Sequence, residues 1–525
     1  MALLRSITTV GGFTMISRVL GLARDILMAA ILGAGWIADC FFIAFKLPNF
    51  FRRLFAEGAF SAAFVPLFSG RLPASGDSDP QALAGARIFA EQTLAVLLLT
   101  LIVVVGAVQL AMPWVMHLLA PGFVGDQEKF DLAVVLTRLT FPYLLFISLV
   151  SLMGGVLNAM GRFAAAASTP ILLNLSLIGV MIFLAGYTDT PAHALAWGVA
   201  GAGMIQFLWL AVACGRAGMG LRLPRPRLTA QVRELLALMA PGVIGAGAVQ
   251  INLVVDIVLA SFLPSGSLSF LFYADRLNQL PIGVIGVAVG TALLPLLSRH
   301  VANGEHDAAV KDQNRAIEFA LALTVPAAAA LIVAPVPLIS VLFERGAFDA
   351  VDTRQTALAL MAYAAGLPAY VLIKVLGPGY FARKDMRTPV RFALIAVAAN
   401  LALNIALMIP FKHVGLAMAT ALSAWLNVAL LGTTLLRRGH LKPDRRLRAR
   451  VPRTVLAAII MAAALWLLAT YLGSAFHGAI GVRIGALMIL VPGGIAIFVL
   501  AAQFVGALDL REARRILRAD SVDDG

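Results

Sequence analysis

Charged residues are scarce in this sequence. Asp, Glu, Lys and Arg make up 13% of its 525 residues, whereas hydrophobic residues make up 61%, and the mean hydropathy is +0.91. Soluble globular domains carry about 25% charged residues. The composition therefore excludes a soluble protein and indicates a polytopic membrane protein.

Cysteine is nearly absent, and so are the motifs of catalytic and metal sites. Cys40 and Cys214 lie in separate apolar segments without ligand-like spacing, which argues against a disulfide framework and a zinc site. The sequence has no Gly-rich phosphate loop, no HExxH motif and no GxSxG motif. We therefore expect no enzyme and no bound cofactor.

What the sequence does have is apolar runs of about 20 residues, the length that crosses a bilayer. They predict an all-α protein of fourteen membrane spans. The spans lie at residues 7–33, 40–69, 86–112, 131–159, 164–186, 193–215, 234–263, 268–298, 316–341, 355–381, 390–410, 413–436, 454–473 and 483–508. Polar interruptions make spans 1, 2, 7 and 8 the least regular.

Lys and Arg are distributed unequally between the two sides of these spans. One side carries dense basic runs at residues 216–233 and 437–453. The opposite side carries only Lys129, Arg345, Arg354, Lys412 and Arg483. Because basic loops stay cytoplasmic, we predict that both termini are cytoplasmic. The net charge of +14 then reflects topology and needs no nucleic-acid partner. In this orientation, Cys40 should react with an impermeant thiol reagent from outside, whereas Cys214 should not.

An internal repeat is visible when the sequence is shifted by 229 residues. Residues 41–69 then align without gaps on residues 270–298. Identical pairs include Phe41/Phe270, Ala59/Ala288, Ala63/Ala292, Pro66/Pro295, Leu67/Leu296 and Ser69/Ser298. Six spans per repeat in one orientation indicate a parallel duplication. We predict an N-lobe over 1–228, a C-lobe over 229–440, and two extra helices with a basic tail over 441–525.

Span 2 carries charges in an otherwise apolar run. Asp39, Lys46 and Arg53 are seven residues apart and therefore form one stripe on a helix. Glu57 continues this stripe one turn beyond Arg53, and Arg52 lies about 100° away on its flank. Each charge at the centre of a membrane helix costs about 2.5–3.5 kcal/mol, so this stripe predicts a wet interior.

Spans 1, 2 and 8 together hold more basic than acidic residues. The basic set is Arg18, Arg24, Lys46, Arg52, Arg53 and Arg276, and the acidic set is Asp25, Asp39, Glu57 and Asp275. Internal ion pairs account for some of them: Arg18 with Asp25, Arg53 with Glu57, and Asp275 with Arg276. The remaining positive surplus predicts a cavity for an anionic, phosphorylated substrate, because guanidinium groups match phosphate oxygens.

A second set of polar residues suggests ion coupling. Asp256 lies in the middle of span 7, Asn400 and Asn404 lie one turn apart in span 11, and Thr420 lies in span 12. Four oxygen-bearing side chains with one carboxylate would suit a monovalent cation such as Na⁺. The alternative is a protonated Asp256 that is hydrogen-bonded to the two asparagines, which would indicate proton linkage.

Four motifs resemble one known family. Residues 17–35, 39–66, 272–295 and 374–390 closely resemble the bacterial lipid II flippases of the MurJ (MviN) family. This family belongs to the multidrug/oligosaccharidyl-lipid/polysaccharide (MOP) exporter superfamily. The likeness extends over essentially the whole chain.

The resemblance implies two six-helix lobes, a two-helix extension and a substrate. That substrate is the undecaprenyl-diphosphate-linked disaccharide pentapeptide of peptidoglycan synthesis, moved from the cytoplasmic to the periplasmic leaflet of the inner membrane. It also implies that the essential cavity arginines are Arg18, Arg24, Arg52 and Arg276, with Asp25, Asp39, Arg53 and Glu57 nearby. The alternatives are a flippase of another polyprenyl-diphosphate glycan and a cation-coupled drug exporter. We expect a monomer that binds lipid II and membrane lipids.

Overall fold

The computed structural model describes residues 2–53, 60–73 and 79–508, with side chains outside 2–7, 241–252, 284 and 287–292. Over these ranges the regular elements are helices. The predicted site residue Glu57 and the basic tail beyond residue 508 lie outside the described residues. The chain divides into two compact units, Met1–Ser269 with Arg345–Phe348, and Phe270–Glu344 with Asp349–Gly525.

The first unit contains ten helices and the first turn of an eleventh. These are α1 (Ala2–Leu32), α2 (Trp36–Phe51), α3 (Ser61–Ser69), α4 (Pro80–Leu110), α5 (Met112–Leu119), α6 (Gln127–Thr140), α7 (Tyr143–Ala159), α8 (Phe163–Phe183), α9 (Pro191–Arg216), α10 (Ala230–Ser261) and the start of α11 (Ser267–Ala302). α1 packs on α8, α8 and α7 pack on α9, and α2 packs on α6.

The second unit contains the rest of α11 and seven further helices. These are α12 (His306–Val333), α13 (Pro335–Phe343), α14 (Ala350–Ala365), α15 (Leu367–Phe381), α16 (Arg387–Arg437), α17 (Arg445–Tyr471) and α18 (Ile480–Val505). α12 packs on α15 and α17, α16 packs on α14 and α15, and α17 packs on α18.

N-cap side chains define the N-termini of several helices. They accept hydrogen bonds from the first backbone N–H groups, which have no partner within the helix. Asp79 begins α4, Asp126 begins α6, Thr229 begins α10, Asp349 begins α14 and Asp444 begins α17 in this way. Asp and Thr are preferred N-cap residues, so these helix starts agree with local sequence preference.

The predicted spans can be compared with the helices of the described residues. In that part of the chain, nine helices or helix pairs are long and apolar enough to cross a membrane. They are Pro80–Leu110, Gln127–Ala159, Phe163–Phe183, Pro191–Arg216, His306–Val333, Ala350–Phe381, Arg387–Arg437, Arg445–Tyr471 and Ile480–Val505. The predicted all-α membrane fold is confirmed, and the helices are compatible with fourteen spans.

Nine helices and fourteen predicted spans can be compared one by one. α16 holds predicted spans 11 and 12 as two halves, which are separated at Lys412 by a non-helical backbone with φ of 51°. Predicted spans 1, 2, 7 and 8 correspond to α1, to α2 with α3, to α10 and to α11. Each of these four spans includes residues or side chains outside the described part of the chain.

The order of elements agrees with an internal repeat. A long helix, a short helix with proline in its first turn and an Asp-capped helix follow one another in α4–α6 and again in α12–α14. A further helix follows at once in each case, α7 and α15. The compact units meet at residues 269 and 270, whereas the lobe boundary at 228 and 229 describes the repeat and stays a prediction.

The two helices outside the repeat belong to the second unit. α17 and α18 share an apolar core that includes Met461, Leu465 and Leu490. At the basic end of α17, Arg446 and Arg450 bind the Glu318 carboxylate of α12, which is 12% exposed. α17 is therefore fastened to α12 by ion pairs as well as by apolar packing.

The turn between α15 and α16 is fixed by one carboxylate. Asp385 accepts hydrogen bonds from the Thr388 hydroxyl at 2.6 Å and from Arg438 Nη1 at 2.7 Å. These bonds favour the ionised form and lower the pKa of Asp385 to about 2. The same residue thus joins the start of α16 to its end.

Candidate anion and ion sites

The best-defined charged group of the first unit lies on α1. Arg24 and Asp25 are 6% and 3% exposed. The Arg24 Nε and Nη2 atoms donate to the same Asp25 oxygen at 3.0 and 2.7 Å. The Arg24 Nη1 atom donates to Oδ1 of Asn174 on α8 at 2.9 Å, and Asn174 Nδ2 donates to the Ser17 carbonyl at 2.9 Å.

This arrangement fixes the Arg24 guanidinium from two directions. A guanidinium has five N–H donors, and the described bonds of Arg24 engage three of them. The other two are the groups that a phosphate oxygen would accept from. Asp25 supplies a counter-charge, so a diphosphate would bind beside this carboxylate rather than to an isolated cation.

Asn174 is a residue that the sequence analysis missed. It is 5% exposed and lies within the apolar run of α8. A single amide in an apolar span is a usable signal, because an intramembrane polar group needs a partner.

The charged end of α2 follows a proline. Pro48 lacks the N–H that would bond to the Ala44 carbonyl, and the Thr140 hydroxyl of α6 donates to that carbonyl at 2.8 Å instead. α2 therefore stays helical through Pro48 as far as Phe51, and residues 52–53 continue in a wider π-type turn. Such turns are frequent at functional sites.

The predicted stripe on α2 runs from a buried end to an exposed end. Asp39 is buried, Lys46 and Arg52 are half-buried, and Arg53 is exposed. On α1, Arg18 is half-buried. The roles of these residues as substrate ligands stay predictions.

Asp39 has a structural environment of its own. Its two carboxylate oxygens accept the Gly266 N–H at 2.7 Å and the Ser269 N–H and hydroxyl at 2.9 and 2.7 Å. The Lys129 ammonium, which donates to Ser265 Oγ at 3.3 Å, lies 3.8 Å from Asp39 Oδ2. Asp39 therefore caps the first turn of α11, and these contacts account for its charge without a substrate.

Lys129 is a second residue that the sequence analysis left out of the site. It is 5% exposed, and its ammonium lies 4.0 Å from the centre of the Phe123 ring. No sequence signal marks it, because it stands in a polar stretch between predicted spans. Its pairing with Asp39 is a product of tertiary structure.

In the second unit, α11 carries the predicted pair Asp275 and Arg276, both half-buried. Asp275 accepts a hydrogen bond from the Gln279 amide one turn later. The Arg276 guanidinium lies over the Phe272 ring, 4.5 Å from its centre. Stacking on a ring holds a guanidinium while its edge stays able to donate.

A further cation approaches α11 from α15. A Cβ atom at Gly286 would lie 2.9 Å from the Lys374 ammonium and 3.0 Å from its Cδ atom. The Lys374 side chain passes against the Gly286 backbone, so a larger residue at position 286 would clash with it. Lys374 is the first residue of the family motif at 374–390, and no role was predicted for it.

The predicted cation ligands on α16 form a hydrogen-bonded set. Asn404 Nδ2 donates to Asn400 Oδ1 at 2.9 Å, Asn400 Nδ2 donates to Ser423 Oγ at 3.4 Å, and Ser423 donates to the Thr420 carbonyl at 3.0 Å. The Thr420 hydroxyl donates to the Leu416 carbonyl at 3.0 Å. One predicted ligand oxygen, Asn400 Oδ1, is thus already engaged.

The proposed carboxylate of this site, Asp256, is half-buried and belongs to the first unit, on α10. Within the described residues, no three His, Cys, Asp or Glu side chains form a cluster that could hold a metal ion. The choice between a cation site and a hydrogen-bonded, protonated Asp256 stays a prediction.

The two thiols do not differ in exposure in this structure. Cys40 and Cys214 are 0% and 1% exposed, and both are free. The Cys40 thiol lies 3.3 Å from the Lys129 carbonyl in the first turn of α6, to which it donates. The difference expected when the cavity opens stays a prediction.

The fold defines a class of protein. A solved inward-facing multidrug resistance MATE family transporter of the MOP superfamily matches with a TM-score of 0.65 and 13% identity, over 82% of this chain and 98% of that chain. At this identity the match shows the fold alone. The chain thus has the helical fold of a MOP superfamily transporter.

Sequence comparison narrows the class to one family. The family model described as Lipid II flippase MurJ matches residues 28–485. A probable lipid II flippase MurJ from Rhizobium meliloti (strain 1021) is 43% identical over 525 residues, covering 99% of this chain and 97% of that protein. A solved lipid II flippase MurJ in an inward closed conformation matches with a TM-score of 0.75 and 26% identity, over 94% and 98% of the two chains. The chain belongs to the lipid II flippase MurJ family.

Proposed function

We propose that this protein is a lipid II flippase. It moves undecaprenyl-diphosphate-linked disaccharide pentapeptide from the cytoplasmic to the periplasmic leaflet by alternating access, and so supplies peptidoglycan synthesis. The observation that carries the proposal is Arg24, a guanidinium 6% exposed inside an apolar helix of a chain that matches the MurJ family over residues 28–485. Placing a charge there costs about 2.5–3.5 kcal/mol. Asp25 offsets part of this cost, and a diphosphate ligand would offset more.

The proposal includes an orientation and a set of partners. The protein is a multi-pass protein of the bacterial inner membrane, with both termini in the cytoplasm, and acts as a monomer on lipid II. It transports its substrate chemically unchanged and is not an enzyme. The basic runs at 216–233 and 437–453 support the orientation.

We propose that the arginines of the first unit, Arg18, Arg24 and Arg52, share one diphosphate. Arg276 of the second unit stays a predicted ligand. Each charge-assisted hydrogen bond to such a ligand is worth roughly 1.5–3 kcal/mol. Loss of one arginine therefore weakens headgroup binding by one or two orders of magnitude.

The test is complementation in cells depleted of their own flippase, together with an assay for lipid II headgroup in the outer leaflet. Arg24→Ala and Arg24→Lys should both fail while the protein stays in the membrane at normal levels. Lysine keeps the charge but lacks the planar fork that contacts Asp25 and Asn174 together. Arg225→Ala, at an exposed residue, is the matched control and should complement.

Normal flipping by both Arg24 variants would overturn the site. Rescue of growth without lipid II in the outer leaflet would instead favour another polyprenyl-diphosphate glycan as substrate. A cation-coupled drug exporter is the weaker alternative, since a cationic drug would be repelled by the basic surplus of α1, α2 and α11.

A further inference from the structure

A groove that the proposed function does not use lies in the first unit. It has a volume of about 1220 Å³ and is lined by α1, the turn between α7 and α8, and the facing sides of α8 and α9. Pockets for small ligands measure roughly 300–1,000 Å³. This groove is larger, and most of its wall is apolar, as at Phe13, Ile171 and Leu172.

Two arginines lie at one end of this groove. Arg162 and Arg216 both line it, both are exposed, and Arg162 Nη1 lies 3.4 Å from the Arg216 carbonyl oxygen. Among the described residues neither of them forms an ion pair, and the lining of the groove includes no Asp or Glu. The end is therefore positively charged and has no acidic partner of its own.

The backbone holds both arginines in place. Gly161, with φ of +73°, ends α7 and lets the Arg162 N–H bond to the Leu157 carbonyl at 2.8 Å. Gly218, with φ of +77°, ends α9 in the same way just after Arg216. Such left-handed glycine ends satisfy the last carbonyl groups of a helix, so the backbone at both arginines is held by hydrogen bonds.

An indole completes the wall of the groove. Trp209 is 44% exposed, and its Nε1 donates to the Ser168 hydroxyl at 3.0 Å and to the Ala165 carbonyl at 3.2 Å. The ring is thus fixed with its apolar faces beside the groove. Tryptophan at this level is typical of the boundary between hydrocarbon and headgroups.

We propose that this groove binds an anionic glycerophospholipid of the cytoplasmic leaflet, with an acyl chain along α1 and α8 and the phosphate at Arg162 and Arg216. The occupant follows from charge complementarity: two unpaired arginines lie at the end of an apolar channel. The side of the membrane rests on the orientation proposed above, which places the turn at Arg162 and the end of α9 in the cytoplasm.

The test uses the fluorescence of Trp209 in the full-length chain, reconstituted in vesicles of phosphatidylcholine and phosphatidylglycerol. Either lipid carries bromine on its acyl chains, which quenches nearby indoles. The Trp209 signal is the difference between the native chain and Trp209→Phe. Phosphatidylglycerol should associate about 25-fold more strongly than phosphatidylcholine at this site, since each basic side chain contributes roughly fivefold.

The variants separate charge at the groove from charge elsewhere. Arg162→Ala/Arg216→Ala should reduce this preference to about onefold, whereas Arg162→Lys/Arg216→Lys should keep it. Arg225→Ala/Arg227→Ala removes the same charge at exposed positions of the following loop and should leave the preference unchanged. Ala213→Phe, which narrows the groove, should lower quenching by phosphatidylglycerol with both arginines intact.

Three results would overturn the proposal. The first is equal quenching by both lipids in the native chain, and the second is a preference that survives Arg162→Ala/Arg216→Ala. The third is relief of quenching by a few mol% of unlabelled undecaprenyl phosphate but not by unlabelled phosphatidylglycerol, which would assign the groove to polyprenyl chains.

Discussion

At the scale of single residues, the charged groups divide into those with a complete local environment and those without one. Asp39 has three hydrogen bonds and a lysine. Arg24 has three bonds and two N–H groups left to donate. The type of residue and its spacing look alike in the sequence, so only the tertiary contacts separate a helix cap from a candidate ligand.

Asn174 should act on transport through Arg24. Asn174→Ala removes a hydrogen bond to a charged group, which is worth about 1.5–3 kcal/mol, and frees the guanidinium to rotate. We expect flipping to fall by at least tenfold in reconstituted vesicles. Gln206→Ala is the matched control. Gln206 of α9 is also buried, and it donates to the Thr169 carbonyl of α8, the helix that holds Asn174, at 2.7 Å.

Both variants should lower the thermal midpoint, and Asn174→Ala should lower it more, because it loses two bonds between helices and Gln206→Ala loses one. Only Asn174→Ala should lose activity at a temperature where both proteins are folded. Equal losses of activity in the two variants would reduce Asn174 to a packing role.

Asp39 and Lys129 should behave as a coupled pair. Removing one partner of a buried ion pair costs about 3–5 kcal/mol, because the other charge is left without compensation. Asp39→Ala should therefore destabilise the purified protein strongly, and adding Lys129→Met should restore part of the loss. Thermal unfolding of the two single variants and of the double variant measures the coupling.

The same double variant separates stability from transport. If Asp39→Ala/Lys129→Met folds and flips lipid II, Asp39 is a structural cap and not a substrate ligand. Additive losses of stability, without coupling, would contradict the pairing at 3.8 Å.

At the scale of helices, the break inside α16 is a feature that the apolar run alone does not reveal. The run predicted two spans with a short connection, and the structure joins them through a single non-helical residue, Lys412. Gly415 follows the break, and a Cβ atom there would lie 2.2 Å from the Leu407 carbonyl oxygen. The two halves approach so closely only because this residue has no side chain.

Gly415→Ala should therefore destabilise the protein by roughly 1–3 kcal/mol through overpacking against backbone. Gly432→Ala in the same helix is the control, since its Cβ atom would lie 3.9 Å from the nearest side-chain atom. Alanine should be neutral there or stabilise the helix by up to about 1 kcal/mol. Similar thermal midpoints for both variants would show that the break is not tight.

At the scale of the whole molecule, the sequence predicts the class of fold well because a bilayer imposes strong rules on composition and length. The N-caps, the basic loops and the apolar runs each follow from local sequence. Partners such as Asn174 for Arg24 and Lys129 for Asp39 do not, because they are 150 and 90 residues apart in the chain and no local pattern joins them.

The orientation of the chain should be tested on a cysteine-free background, Cys40→Ser/Cys214→Ser. Single cysteines replace exposed residues between helices, Asp189 and Ser474 on the predicted outer side and Arg225 and Asn303 on the predicted inner side. An impermeant maleimide should label the first two in intact cells and the others only after permeabilisation. A position that is labelled like the opposite group would contradict the predicted number of spans between the two positions.

Ion coupling can be tested at Asp256, a half-buried carboxylate in α10 of the first unit. We propose that this residue links flipping to protons, and the alternative is a sodium site. Flipping in vesicles should then change with pH and be indifferent to Na⁺ when the two are varied independently. A carboxylate that must be neutral gives a rate that rises as pH falls through its pKa.

Asp256→Asn, which is always neutral, should lose this pH dependence, whereas Asp189→Asn in an exposed loop should retain it. Stimulation by Na⁺ that disappears in Asp256→Asn would establish a cation site, and a rate indifferent to all three changes would remove Asp256 from the mechanism.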